Sequence, residues 1–417
     1  MDKIRISGNA NLFGSIITPG SKNAALPIMV SSLLSGKYLN LTNVPDLEDI
    51  KTMIKLLENY GVNITKKKNI LILNSINITN NIADYDLVRK MRASVLILGP
   101  LLARFKKAKI SLPGGCAIGT RPIDIHLDSI SKLGVKFEIS NGFVSGFVKN
   151  KLAGSIINMP FPSVGATENI MMTACIAEGI TTINNPAKEP EILDLQKSLN
   201  SMGCKISGAG SDIIKIKGVK NFTEGNHSIM SDRIVAGTYI LAAVILNKEF
   251  TIKNIQSKYL LSLIEVLKKM NANLKIYEDS IKVMPTNELI GANIKTAPHP
   301  GFPTDLQAQI MAVMSVAKGS SKITETIFEN RFMHVAELNR LGAKIKIKTD
   351  TAYIQGDRTF KGAQVMASDL RASVSLVLAA LCAEGETVVN RVYHLDRGYE
   401  KIEENLGKCG PIITREK

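Results

Sequence analysis

The chain has 417 residues, 45% hydrophobic and 21% charged, a balance that excludes a disordered or fibrous protein, and its length is too great for one ordinary core. Its net charge of +15 comes with 5% aromatics and no tryptophan. That combination argues against recognition of single-stranded nucleic acid by base stacking; the charge reads first as a lysine-biased composition, next as a match for anionic small-molecule substrates, and only third, for want of a recognition motif, as nucleic-acid binding.

Five cysteines without CxxC spacing point away from disulfides and zinc and toward a reducing cytoplasm. No apolar h-region follows Met1, and no apolar run reaches the roughly 20 residues of a membrane span.

In chain order, residues 3–6 read as a strand and residues 14–19 as a crossover. From there one pattern runs six times. Each copy opens near a small or acidic residue, continues as a helix rich in Ala, Ser, Met and Leu, and passes into a β-branched strand. The openings lie at Ser21, Met91, Gly165, Asp232, Asp305 and Asp369, spaced 70, 74, 67, 73 and 64 residues apart. A second, amphipathic helix in each copy ends at Gly61, Gly134, Gly203, Asn271, Gly342 or Gly410, spaced 73, 69, 68, 71 and 68. Glycine and asparagine are the residues that suit a left-handed C′ position. Two independent markers keeping one period account for the whole chain.

Each copy therefore reads helix, strand, helix, two strands. The first helices, such as residues 305–318 and 369–384, are apolar on nearly every side and are expected to be buried. The predicted architecture is α/β with two domains of three repeat units. Residues 20–229 form one; residues 1–19 plus 230–417 form the other.

Residues able to do chemistry gather at the openings: Lys22 and Asn23, Arg92, Ser163 to Gly165, Asp232 and Arg233, Asp305, and Asp369 with Arg371. Helix N-termini attract anions. Cations placed there, such as Lys22, Arg92 and Arg371, are unfavourable unless an anion joins them. Asp232 is served by an N-cap reading, and Asp305 and Asp369 partly so. If both domains aim these ends at a common cleft, the cleft binds a heavily anionic substrate set.

Residues 112–126 stand out beside the repeat. They set Cys116 among Gly114, Gly115 and Gly119, with Arg121, Asp124 and His126 beyond. A nearby cation lowers a thiol's pKa and readies it as acid or nucleophile; the alternative is a small buried hydrophobe in a turn.

Several motifs together resemble the enolpyruvyl transferase family, in the branch acting on UDP-N-acetylglucosamine. They are Pro19-Gly20-Ser21-Lys22-Asn23-Ala24, Met91-Arg92-Ala93-Ser94, Pro113-Gly114-Gly115-Cys116-Ala117-Ile118-Gly119-Thr120-Arg121-Pro122, Pro162-Ser163-Val164-Gly165, Pro300-Gly301-Phe302-Pro303-Thr304-Asp305, Glu329-Asn330-Arg331-Phe332, Asp369-Leu370-Arg371-Ala372 and Asp396-Arg397-Gly398-Tyr399. The resemblance runs from the first strand to about Leu406. The tail, residues 407–411, departs from it and leaves the last strand open.

The resemblance implies two inside-out domains, each of three βαβαββ units, with the active site in the cleft between them. It implies transfer of the enolpyruvyl group of phosphoenolpyruvate to the 3-hydroxyl of UDP-N-acetylglucosamine, with release of phosphate. That reaction opens peptidoglycan precursor synthesis in the bacterial cytoplasm. No cofactor, metal, nucleic acid or membrane partner is implied.

By the same resemblance Cys116 is the acid and can carry a covalent phosphoenolpyruvate adduct, Asp305 is the base near the sugar hydroxyl, and Lys22 and Arg397 complete the catalytic group. Phosphoenolpyruvate falls to Lys22, Asn23, Arg121, Arg331, Asp369, Arg371 and Arg397, since guanidinium forks match phosphate and carboxylate. UDP-N-acetylglucosamine falls to Arg92, Arg121, Pro122, Ile123, Asp124, Ile125, Ser163, Val164, Gly165, Asp305 and Ile327, with the amides of residues 163–165 suited to a diphosphate. The rival readings are the sibling enzyme acting on shikimate 3-phosphate, which the Cys loop argues against, and a non-catalytic basic module or RNA-terminal cyclase built on related units.

Overall fold

The fifth repeat shows the plan on which the chain is built. The edge strand Asn293–Lys295 pairs in parallel with Ser320–Thr324, which is antiparallel to Thr351–Gln355, itself antiparallel to Lys344–Lys348. The helix Gln307–Val316 joins the first two strands, and Val335–Arg340 leads into the hairpin. The computed structural model describes residues 2–78, 92–112 and 123–417. Among these residues, five sheets repeat that four-strand order, and the second repeat contributes three described strands.

The repeats divide into two compact units, residues 2–19 with 231–417, and residues within 20–230. Each has its own hydrophobic core. Two edge strands come from outside their own repeat: Gly225–Ser228 pairs with Tyr38–Thr42, and Ser15–Ile17 pairs with Phe250–Lys253. The sixth sheet is completed by the start of the chain. Lys3–Ser7 lies between Glu386–Asn390 and Ile413–Glu416, antiparallel to both. The divergent tail thus ends in a regular strand.

Uniform apolarity buries the first helices, as expected of a helix without a polar face. All thirteen residues of Arg233–Ile245 are buried, and all but the last of Leu370–Cys382. The second helices are two-faced: Glu48–Asn59 buries Ile50, Met53, Leu56 and Leu57 and exposes Lys51 and Lys55. Their ends fall where the sequence marks them. Gly61, Gly134, Gly203, Gly342 and Gly410 have φ of 98, 100, 92, 109 and 112°, and Asn271 has φ 64°.

A second left-handed position recurs that the sequence reading missed. Asn43, Asn185 and Asn254 (φ 55, 56 and 59°) follow their inner strands directly. Each donates its Nδ2 to the carbonyl closing the neighbouring edge strand, at Ile229, Met159 and Thr18, over 2.8, 2.9 and 2.8 Å.

Two helix starts differ from expectation. Arg92–Ile97 is a 3-10 segment, and the α-helix begins at Leu98. Pro100 has no N–H for the carbonyl of Leu96, and its ring clashes with that carbonyl in an α-helix. Similarly, Thr304–Leu306 is a 3-10 turn and the helix starts at Gln307. Among the described residues, no helix is long and apolar enough to cross a membrane.

Candidate functional site

The turn Thr304–Leu306 leaves the Asp305 side chain outside the helix ladder, where two arginines meet it. Arg331 Nη2 donates to Oδ1 and Arg371 Nη2 to Oδ2, both over 2.8 Å. The arginine side chains are 5% and 7% exposed and the aspartate 28%, so the carboxylate is the open end of a buried charged cluster. Burial is the largest single influence on Arg371 and would lower its pKa; the charge and hydrogen bond of Asp305, together with the charges of Tyr399 and Asp232, outweigh it and hold the guanidinium above its ordinary value.

Asp369 fills the N-cap part of its expected role. Its Oδ1 accepts from the amides of Arg371 and Ala372 (2.9 and 3.1 Å), capping Leu370–Cys382 and fixing the turn that carries Arg371. Two histidines border it. Burial, with help from Arg331, pushes His334 down to about 4 against the opposing pull of Asp369. His394 is lowered by burial and by Arg397, again opposed by Asp369. Arg397 therefore belongs to the same electrostatic neighbourhood. Gln309 ties the cluster to the core: its Nε2 donates to the Asp305 carbonyl (2.9 Å) and more weakly to Thr238 Oγ1 and Tyr399 Oη.

Glu325 was missing from the sequence-based site. It is buried, and its Oε1 accepts from Thr296 Oγ1, Ile327 N and Phe328 N at 2.9, 2.8 and 3.2 Å, while Oε2 accepts from Thr304 Oγ1 at 2.8 Å. One carboxylate thus seats the turn before Asp305 and the turn bearing half-buried Ile327. A signal existed: Glu325 follows its inner strand where three other repeats carry Asn43, Asn185 and Asn254.

In residues 20–230, Ser21 caps its helix, and Lys22 Nζ lies 3.0 Å from Asp49 Oδ2 with both side chains buried. The anion joining Lys22 here is the chain's own, and Asp49 was not foreseen. Asn23 beside it is half-buried. Ser163 caps Val164–Ala174, with Oγ accepting from Ala166 N at 3.4 Å. Its own amide donates to the Phe161 carbonyl (2.7 Å), so the expected set of three diphosphate-facing amides reduces to those of Val164 and Gly165.

Ile123 is 6% exposed and part of the core, so its side chain is not open to a ligand; Asp124 is exposed and Ile125 half-buried. His126 is held from behind. The Gly99 amide donates to Asn169 Oδ1 (2.8 Å), which turns Asn169 Nδ2 toward Val95 O (3.0 Å) and His126 Nδ1 (3.1 Å). Nδ1 is then an acceptor, and neutral His126 carries its proton on Nε2. A Cβ at residue 165 would lie 3.1 and 3.4 Å from His126 Cε1 and Nε2, so only glycine leaves the ring undisturbed.

Cys116, Arg121 and Pro122 lie outside the described residues, and Arg92 opens the 3-10 segment. Cys175, Cys204 and Cys409 are buried and Cys382 half-buried, in keeping with packing roles.

Compared with known families, the chain matches the model of EPSP synthase (3-phosphoshikimate 1-carboxyvinyltransferase) over residues 6–406. UDP-N-acetylglucosamine 1-carboxyvinyltransferases from Pelagibacter ubique and Granulibacter bethesdensis are 51% and 50% identical to it over 415 and 417 residues, covering 100% of this chain and 100% and 99% of theirs. Among solved structures, the enolpyruvyl transferase NikO from Streptomyces tendae superposes with a TM-score of 0.91 at 22% identity, over 99% of this chain and 98% of that one. EPSP synthase from Acinetobacter baumannii gives 0.78 at 17%, over 100% of both. At such identities the solved structures speak for the fold, and the sequence relatives for the family.

Proposed function

The chain belongs to the enolpyruvyl transferase family, among the UDP-N-acetylglucosamine 1-carboxyvinyltransferases, and on that premise we propose how its residues carry out the transfer. The substrates are phosphoenolpyruvate and UDP-N-acetylglucosamine, and phosphate is released. A place at the start of peptidoglycan synthesis, in the bacterial cytoplasm, belongs to the same reading.

The observation that carries it is the Asp305 carboxylate gripped by two buried guanidiniums. Phosphoenolpyruvate brings a phosphate and a carboxylate, each a better match for a guanidinium fork than a single oxygen of a shared aspartate. As these anions take Arg331 and Arg371, Asp305 loses its partners and becomes able to accept a proton. The 3-hydroxyl oxygen of the sugar then bonds to C2 of phosphoenolpyruvate, its proton passes to Asp305, and C3 gains a proton from Cys116. In the second half, C3 gives a proton back to the Cys116 thiolate, the double bond re-forms, and the C2–O bond to phosphate breaks, the phosphate leaving with the proton that Asp305 had taken. Lys22 and Arg397 hold the departing anion, while Val164 and Gly165 offer amides, and His126 its Nε2–H, to the diphosphate.

Phosphate release tests this reading. Release should require both substrates together; release with shikimate 3-phosphate in place of the nucleotide sugar would overturn it.

A further inference from the structure

We propose that Arg415 is a positioning residue for Arg397, acting through Asp396; this rests on the reading above, in which Arg397 binds phosphoenolpyruvate. The segment between residues 391 and 401 is bounded by two non-glycine residues in the left-handed region, Arg391 (φ 60°, ψ 42°) and Lys401 (φ 35°, ψ 59°). Such residues disfavour that conformation by about 1–2 kcal/mol each, so the surrounding contacts must hold the segment in place.

Two anchors do so, one on each side of Arg397. Two residues after it, Tyr399 is buried, and its hydroxyl shares a 2.8 Å hydrogen bond with Thr238 Oγ1. One residue before it, Asp396 places both carboxylate oxygens on one guanidinium: Arg415 Nη2 to Oδ1 at 2.6 Å and Nη1 to Oδ2 at 3.0 Å.

Arg415 cannot turn away. Its Nε donates to Glu403 Oε1 at 2.6 Å and its Nη1 lies 3.5 Å from Asp2. Its backbone is in register with Ile4 in the strand that closes the sheet. Bidentate pairs of this kind fix geometry as well as charge. Without Arg415, a carboxylate would stand unpaired one residue from the guanidinium meant for an anionic substrate, and would compete for it.

Arg5 is a built-in control. It lies on the neighbouring strand of the same sheet and pairs with Glu416 and Glu386, neither of which lies between residues 391 and 401.

The full-length enzyme carrying Arg415→Gln, Arg415→Lys, Asp396→Asn or Arg5→Gln is assayed by phosphate release with each substrate varied in turn. Arg415→Gln should raise the KM for phosphoenolpyruvate by about tenfold, within the range that remote misplacement of a binding group produces. It should leave the KM for UDP-N-acetylglucosamine within twofold (~2). Arg415→Lys should recover part of the loss and Arg5→Gln should show none. If Arg415→Gln fails to fold, as judged by circular dichroism, Asp396→Asn must raise the same KM. An unchanged KM for phosphoenolpyruvate in folded Arg415→Gln, or an equal rise in Arg5→Gln, overturns the proposal. Wild-type turnover in Arg397→Ala would instead sink the reading on which it rests.

Discussion

Two units made from one repeat fill their helix bundles with different polar groups. In residues 231–417, Gln309 leads from buried Thr238 and Tyr399 out to the ion-paired Asp305, Arg331 and Arg371. In residues 20–230, Asn169 leads from Gly99 and Val95 out to His126 and Gly165. Asn169 and Gln309 stand at the same place, four residues after the openings at Gly165 and Asp305 (169 − 165 and 309 − 305). The repeat sets where these two buried amides sit; their neighbours decide whether each serves an ion-paired cluster or a neutral set of donors.

The sharpest way to break this contrast is Asp305→Asn, which keeps the shape and removes the base. Turnover should fall by about 10²–10⁴-fold, the usual worth of a general base. Phosphate release within threefold (~3) of wild type would mean the charged side of the comparison has no catalytic meaning.

Next in size is a pH effect. His334, pushed down to about 4, binds fewer protons when folded than when unfolded, where its value is 6.5. Its contribution is therefore whole above pH 6.5 and is lost as pH falls toward 4, by up to ~3 kcal/mol. His334→Gln should flatten the decline of urea stability across that window. Parallel declines in the two proteins would place the acid sensitivity elsewhere.

Asn169→Ala strands the Gly99 amide and the Val95 carbonyl inside the core and should cost about 2 kcal/mol. Gln309→Ala should cost less, because Gln309 Oε1 already has no partner. Denaturant midpoints in the reverse order would refute the comparison. The smallest effect separates Asn185→Ala from Asn185→Gly. Both lose the bond to Met159, but only alanine resists φ 56°, so it should be less stable by about 1 kcal/mol.

The fold was legible wherever a local rule decided it. A helix apolar on every face can only be buried, and a helix end needing positive φ selects glycine or asparagine, so both markers kept their period. Irregularities came from equally local causes that the period hid, such as Pro100 delaying a helix start to Leu98. The candidate site was legible as residue types at helix starts and not as partnerships. Lys22 was expected to await a substrate anion and has Asp49. Asp369 caps a helix, as the N-cap part of its reading had it, and the Ser163 amide is occupied by Phe161. Glu325 carries no motif; its importance lies in four hydrogen bonds converging on one buried carboxylate.

By itself the sequence determined the α/β repeat, the burial of its first helices, their glycine-marked boundaries and the family to which the chain is similar. Each of these depends on residues within a turn or two of one another. Tertiary structure alone decided that Asp305 meets Arg331 and Arg371, 26 and 66 residues away, and that Lys3–Ser7 inserts beside the tail strand that brings Arg415 to Asp396. A charge finds its partner through space, and contacts between distant parts of a chain leave no period along it.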